Sequence, residues 1–322
     1  MLELFEARQI SPPSQESTLD EIDHLDSELF LHFSDKFKVQ TSLTRTMVSF
    51  QANKTKPVYR WYKYKEAFSA SLVEHFINMY NITRGKLLDP FAGSGTALFA
   101  VSAAGIDAAG IELLPVAQQV ISTRICLERE FTAKDVAALS RWATMCPWEQ
   151  SDTREILSQV PITYGAYPAQ TLDAIEHYLA ASKQETELVQ SVLLFALMCV
   201  LESVSFTRKD GQYLRWDHRS GRRQGAKPFN KGRILHLRQA ISSKLNEILL
   251  DLHNVNNDLG LFPTVHNPGS IRLIGGSCLD ILPTLPNGDY DIIFTSPPYC
   301  NRYDYTRTYA LELALLGMNE QD

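Results

Sequence analysis

The segment Lys86-Leu-Leu-Asp-Pro-Phe-Ala-Gly-Ser-Gly-Thr96 leaves the chain few folds to choose from. Lys86 to Asp89 reads as a short strand, Gly93 and Gly95 punctuate a turn, and Ala97-Leu-Phe-Ala-Val-Ser-Ala-Ala104 reads as a helix stopped by Gly105. Ala108 to Ile111 is a second strand ending at Glu112. A strand, turn, helix and strand in so short a span demand a right-handed crossover between parallel strands, which places the chain in the α/β class.

The rest of the pattern divides around this unit. Residues 1–60 form an N-terminal extension of helical and irregular character, with a helix expected in the acidic and apolar stretch Leu19 to Leu31. A helix from Ser69 to Met79 leads into the first strand. Apolar residues at three- and four-residue spacing over Val136–Met145, Thr171–Ala181, Glu187–Val204 and Arg233–His253 predict an inserted helical subdomain over residues 128–265. Strand character returns at Ser270–Ile274 and Tyr290–Phe294, so residues 61–127 and 266–322 make the α/β core.

Composition excludes several classes. The apolar run Ser191 to Leu201 falls short of the roughly 20 residues a bilayer span needs and reads as a buried helix, so no membrane partner is expected. The first residues show no export signal, which predicts a cytoplasmic protein. Cys126, Cys146, Cys199, Cys278 and Cys300 stand far apart with no histidine set at ligand spacing, predicting reduced thiols and no metal.

A glycine turn between strand and helix lets a ligand approach the backbone and the helix N-terminus. The dinucleotide fingerprint needs a third glycine where this chain has Leu98, and Asp89 would repel a pyrophosphate and welcome an ammonium group. A cofactor with an amino-acid end fits. Glu112, at the neighbouring strand tip about 5 Å away, suits two ribose hydroxyls, and Asp280, after the third strand, is expected near an adenine amino group.

Leu88-Asp-Pro-Phe-Ala-Gly-Ser-Gly-Thr96 together with Phe294-Thr-Ser-Pro-Pro-Tyr299 resembles the DNA amino-methyltransferases, the cytosine-N4 and adenine-N6 class. The resemblance covers about residues 60–125 and 268–312. It implies a Rossmann-like, S-adenosylmethionine-dependent methyltransferase sheet, with Asp89, Pro90, Phe91, Gly93, Gly95, Thr96, Glu112 and Asp280 toward the cofactor. It implies catalysis by Ser296, Pro297, Pro298 and Tyr299 on a base flipped out of double-stranded DNA. In that chemistry the Ser296 hydroxyl and the Pro297 carbonyl each accept one amino hydrogen, and Tyr299 offers a stacking face.

Thr-Ser-Pro-Pro-Tyr is commoner in the cytosine-N4 enzymes, which tilts the expectation to cytosine. Adenine-N6 methylation, RNA guanine-N2 methylation and a catalytically silent DNA-binding half are the alternatives. The family's sheet has three strands after this motif, whereas one helix, Tyr309–Gly317, is expected before Asp322. The sheet is therefore expected to be incomplete, from truncation or because a second polypeptide completes it.

Between Phe206 and Arg238 ten Lys and Arg residues face only Asp210 and Asp217, although the whole chain carries −6. This island, read as a glycine-rich loop, makes Arg208, Lys209, Arg215, Arg222 and Arg223 candidate DNA contacts. Arg302 and Arg307, set among the aromatics of Cys300–Tyr309, either contact the extruded nucleotide's phosphates or belong to a helix start that packs on the sheet.

Overall fold

The computed structural model describes residues 15–36, 40–64, 67–210, 213–222, 227–257, 267–298 and 304–319. It comprises two units, Met1–Thr44 and Arg45–Asp322, so the compact body begins before residue 61. The first unit contains helix α1 (Gln15–Phe33).

In the second unit a 3-10 turn at Phe50–Lys54 precedes α2 (Ala70–Met79), whose first turn is capped by the Ser69 hydroxyl accepting from the Leu72 amide. Next come β1 (Lys86–Asp89), α3 (Thr96–Ala103), β2 (Asp107–Glu112) and α4 (Pro115–Arg129). The insertion consists of α5 (Ala133–Met145), α6 (Ala169–Ser182), α7 (Glu187–Val204), a hairpin of β3 (Thr207–Asp210) and β4 (Tyr213–Trp216), and α8 (Leu237–Asn257). The chain returns to the sheet through β5 (Ile271–Gly275), α9 (Cys278–Ile281), β6 (Ile292–Ile293), α10 (Tyr305–Thr308) and α11 (Ala310–Leu315).

Four strands pair in parallel in the order β5-β2-β1-β6. Glu112 pairs with Gly275, while Asp89 pairs with Gly110, so β2 and β5 project past the tip of β1. β6 is shorter than its apolar run suggested, yet its backbone bonding to β1 continues through the Asp291 and Phe294 amides to Lys86 and Leu88.

Alternation along the strands builds two layers. Leu87 and Ala108 face α2 and α3 with Val73, Leu98 and Val101, whereas Leu88, Ala109 and Ile111 face Ile274 and Ile281. The insertion is not a detached subdomain. Its helices share one core with residues 58–64, α4 and residues 309–311. At the centre lies α7, apolar on all sides and packed by α4, α5, α6, α8 and α11. Length and composition alone would let α7 cross a membrane, but most of it is buried inside the protein. Beside it Trp142 stacks on Trp148, and Tyr178 meets both edge-on.

A strap before α2 is tied to α8 by one buried carboxylate. Asp251 accepts from the Val58 amide (2.9 Å), the Trp61 indole (2.9 Å) and the Arg60 guanidinium (3.1 and 2.5 Å). Val58 sits at φ +70°, a costly conformation for a β-branched residue, held in place by this bonding. Asp251→Ala strands a buried amide and indole, and should lower the unfolding free energy by about 3 to 5 kcal/mol in urea titration. Arg238→Ala, which removes an exposed pair with Glu149, should cost below about 1 kcal/mol. Equal losses would mean that Asp251 is replaceable.

Candidate active site

Gly93 (φ +53°) and Gly95 (φ +76°) shape the turn after β1. A Cβ on Gly95 would stand 2.9 Å from both Ile121 and Phe99, so neither the conformation nor the space admits a side chain there. The open face of Gly93 is covered by the ring of Tyr64, 3.4 Å from where a Cβ would lie. Glu112 spans the neighbouring strand tips: Oε2 accepts from the Gly93 amide and Oε1 from the Leu114 amide, both at 2.7 Å. Each oxygen keeps a further lone pair. Burial pushes this carboxyl above its ordinary value, and the amide bonds pull against that shift.

Asp89 is fully buried at 0% exposure. Its Oδ1 accepts from the Phe91 amide (3.1 Å) and the Thr295 hydroxyl (2.8 Å), joining the turn after β1 to the loop after β6. Its Oδ2 has no partner among the described residues. Burial pushes the carboxyl up to about 6, against the opposing pull of the Thr295 and Phe91 bonds.

Over these strand tips opens a cavity of about 830 Å³, in the position where parallel α/β sheets bind ligands. Pro90, Phe91, Gly93, Thr96 and Glu112 line it on one side, and Ser296 and Pro298 on another. The remaining expected residues are placed differently. Asp89 and Gly95 are buried outside the lining, and Pro297 is exposed outside it. Asp280 is also exposed and outside the lining, because α9 presents Cys278 and Leu279 to the cavity instead. Tyr299 and Arg302 lie outside the described residues.

Sequence reasoning missed Tyr64, Phe68 and Leu113 in the wall, whereas Tyr305 belongs to the aromatic segment Cys300–Tyr309 already singled out. The aromatic density of Tyr59 to Phe68 was the available signal for the first two. Asp304 also lines the cavity and caps α10 through the Arg307 amide; hydrogen bonding from Thr306 holds its carboxyl below the usual value. Its second oxygen pairs with Arg307. Among the described residues no acid, histidine or cysteine cluster could hold a metal, and Cys126, Cys146, Cys199 and Cys278 are free thiols.

The first part of the basic island, residues 207–216, forms a hairpin, whereas its described residues from 217 to 236 are loop apart from one 3-10 turn at His218–Ser220. The hairpin strands alternate, with Arg208, Tyr213 and Arg215 outward and Thr207, Lys209 and Leu214 inward, and Arg208 faces Arg215 across the ladder. Lys209 is therefore not a surface cation: at 9% exposure it pairs with Glu312. Arg222 lies 3.5 Å over the Trp216 ring and donates to the Pro161 and Tyr164 carbonyls. Arg219 is bound to buried Asp217, and Lys231 donates to the Glu202 and Ser205 carbonyls, its pKa pulled down to about 8 by burial. Arg208 and Lys227 are exposed and make no side-chain hydrogen bond or ion pair with a described residue. Arg223 lies outside the described residues.

A family model described as DNA methylase matches residues 16–122. The type II methyltransferase M.AvaI of Nostoc sp. (strain PCC 7120) is 50% identical over 309 residues, 95% of this chain and 64% of the relative. M.AvaI of Anabaena variabilis gives the same figures. The type II methyltransferase M.BsoBI of Geobacillus stearothermophilus is 33% identical over 298 residues, 87% of this chain and 57% of the relative. The chain thus spans 64% and 57% of the lengths of these relatives. No solved structure matches it.

Asp89 gives the site a pH signature. With its folded pKa near 6 against 3.8 for the free side chain, its stabilising contribution is complete below about pH 4 and is lost as pH rises through about 6, a span of about 3 kcal/mol. Asp89→Asn keeps the bonds from Thr295 and Phe91 but cannot ionise. In denaturant titrations the variant should gain on the native chain by about 2 to 3 kcal/mol between about pH 4 and pH 7. Parallel profiles would contradict the buried placement.

Proposed function

We propose that the chain is a DNA amino-methyltransferase that transfers a methyl group from S-adenosylmethionine to an exocyclic amino group of a DNA base, cytosine N4 in preference to adenine N6, a reading supported by the DNA methylase model and the type II methyltransferase relatives. The observation that carries the reading is the one cavity lined by both Glu112 and Ser296: Glu112 at the tip of β2 holds the turn after β1 through the Gly93 amide, and Asp89 and Thr295 tie that turn to the loop that carries Ser296. Acting within a type II restriction–modification system accords with the relatives being type II methyltransferases.

The residues fit such a cofactor. Glu112 has a free lone pair on each oxygen for two ribose hydroxyls, Gly93 brings the turn to the cavity wall beneath the Tyr64 ring, and Phe91 and Leu113 supply apolar walls. The unpartnered Oδ2 of Asp89 is an orphaned buried acceptor that a nearby cation would satisfy. When bound, the cofactor supplies the electrophilic methyl group.

A base amino group is a poor nucleophile because its lone pair is delocalised into the ring. The Ser296 hydroxyl and the Pro297 carbonyl, as acceptors for the two amino hydrogens, draw the nitrogen toward tetrahedral geometry. Pro297 and Pro298 restrict the loop, so the acceptors need no reorganisation. Tyr299 stacks on the flipped base. No step requires a thiol nucleophile.

Duplex DNA meets the outward face of the hairpin, with Arg208, Arg215 and Tyr213 in contact and Lys227 adding charge. A two-stranded antiparallel ribbon has the width of a major groove, and exposed cations supply the phosphate attraction. Lys209, Arg219 and Lys231 hold the hairpin in place instead.

Labelled cofactor offered with duplex DNA and with RNA should mark DNA alone, and mass spectrometry should find N4-methylcytosine in the digest. N6-methyladenine would move the specificity, and a marked RNA or no product would sink the reading. Glu112→Ala should weaken cofactor binding by about 10-fold or more in calorimetry, the loss expected from charged hydrogen bonds. Cofactor affinity in the native chain should rise with pH through about 6 as Asp89 ionises, and Asp89→Asn should flatten that rise. Ser296→Ala should lose about 100-fold or more in transfer rate with cofactor affinity kept. Reversing Arg208 and Arg215 to Glu should lower the salt dependence of DNA binding by about two phosphate contacts, and an unchanged slope would remove the hairpin from the interface.

A further inference from the structure

Lys209 is the one inward-facing cation of the hairpin that reaches the elements behind the cavity. Its ammonium donates to Glu312 Oε1, lies 3.5 Å from the Tyr62 hydroxyl, and sits 4.2 Å from the centre of the Tyr309 ring. Glu312, at 2% exposure, also accepts from the Tyr62 hydroxyl at 3.3 Å, and its Oε2 has no partner among the described residues. Tyr309 in turn stacks on Tyr64 at 5.3 Å and 14°, and Tyr64 is the ring that covers Gly93 and lines the cavity. In parallel, β4 packs on α10, which lines the same cavity with Tyr305 and Thr306.

We infer that Lys209 and Glu312 are positioning residues that couple the DNA-facing hairpin to the cofactor cavity through Tyr309 and Tyr64, so that each ligand strengthens the binding of the other. The inference rests on the cofactor and DNA assignments proposed above.

A buried ion pair is a poor source of stability, since desolvating both charges offsets most of their attraction, and well-packed apolar substitutes are often as stable. What the pair supplies here is geometry. An ammonium over an aromatic face with a carboxylate at fixed distance has one preferred arrangement, so a displacement of β3 shifts Tyr309 rather than dissipating in soft packing. Lys209 lies next to Arg208 on the strand, hence any docking that moves the outward face moves the inward one. At the far end, a ligand against Gly93 meets the Tyr64 ring. Two sites that bias one rigid network are linked by a reciprocal coupling.

The double variant Lys209→Met with Glu312→Leu replaces the pair by apolar groups and should fold, whereas Glu312→Gln alone leaves a buried cation and should melt earlier. The test measures the affinity of a fluorescently labelled duplex of mixed sequence, with and without saturating S-adenosylhomocysteine, a ligand that cannot donate a methyl group. In the native chain the nucleoside should tighten duplex binding by about fivefold or more. In the folded double variant each ligand alone should bind within about threefold of the native value, while the ratio falls to about one. A merely structural pair would leave that ratio at the native value in a folded variant, and this result overturns the inference, as does a native ratio of one. A native chain that fails to bind the nucleoside sinks the reading of the cavity first, and the inference with it.

Discussion

The hydrogen bond from the Thr295 hydroxyl to Asp89 joins loops that are 206 residues apart in sequence. β1 lies between β2 and β6, so its tip is the one place from which a single side chain can meet both the glycine turn and the Ser-Pro-Pro loop. Putting a carboxylate there is costly, because two hydrogen bonds do not replace the hydration of a fully buried anion, and the raised pKa is the visible sign of that cost. The protein tolerates an unfavourable group where the position matters. A neutral residue would be more stable there, but would remove the buried charge that lies behind the cavity wall.

What the sequence disclosed followed the range of the interactions. The strand at Lys86–Asp89, the turn at Gly93–Gly95 and Glu112 at the next tip are local consequences of spacing, and the structure has them where the pattern put them. Helix Glu187–Val204 was legible to the residue, since an apolar run without a polar face has nowhere to go but the core. Asp280 shows the limit of such reasoning. Position after a strand does not say which way a four-residue helix will turn its side chains.

The hairpin was hidden for a different reason. Period-two alternation shows in a sequence when inward residues are apolar, but in Thr207-Arg-Lys-Asp210 the inward side chains are a threonine and a lysine. Lys209 can point inward only because Glu312, 103 residues later, is already buried there. Net charge counted it as surface, as it counted Arg219 and Lys231. The density of cations thus reported correctly that the segment is special and misjudged how many of them reach solvent. The strap at residues 58–64 escaped notice for the same cause, its order depending on Asp251 in a helix far along the chain.

The tryptophans divide the molecule optically. Trp142 and Trp148, stacked at 5.4 Å and 24° and sealed in the core, form a closely coupled pair whose near-ultraviolet dichroism reports the integrity of the helical insertion. Trp216 lies in β4 beneath the Arg222 guanidinium, at the base of the proposed DNA face, where a cation against the indole shifts its emission. Movement of that arginine therefore alters the Trp216 share of an emission to which Trp61, Trp142 and Trp148 also contribute, and the difference from a Trp216→Phe chain separates an event at the hairpin from a change in the fold.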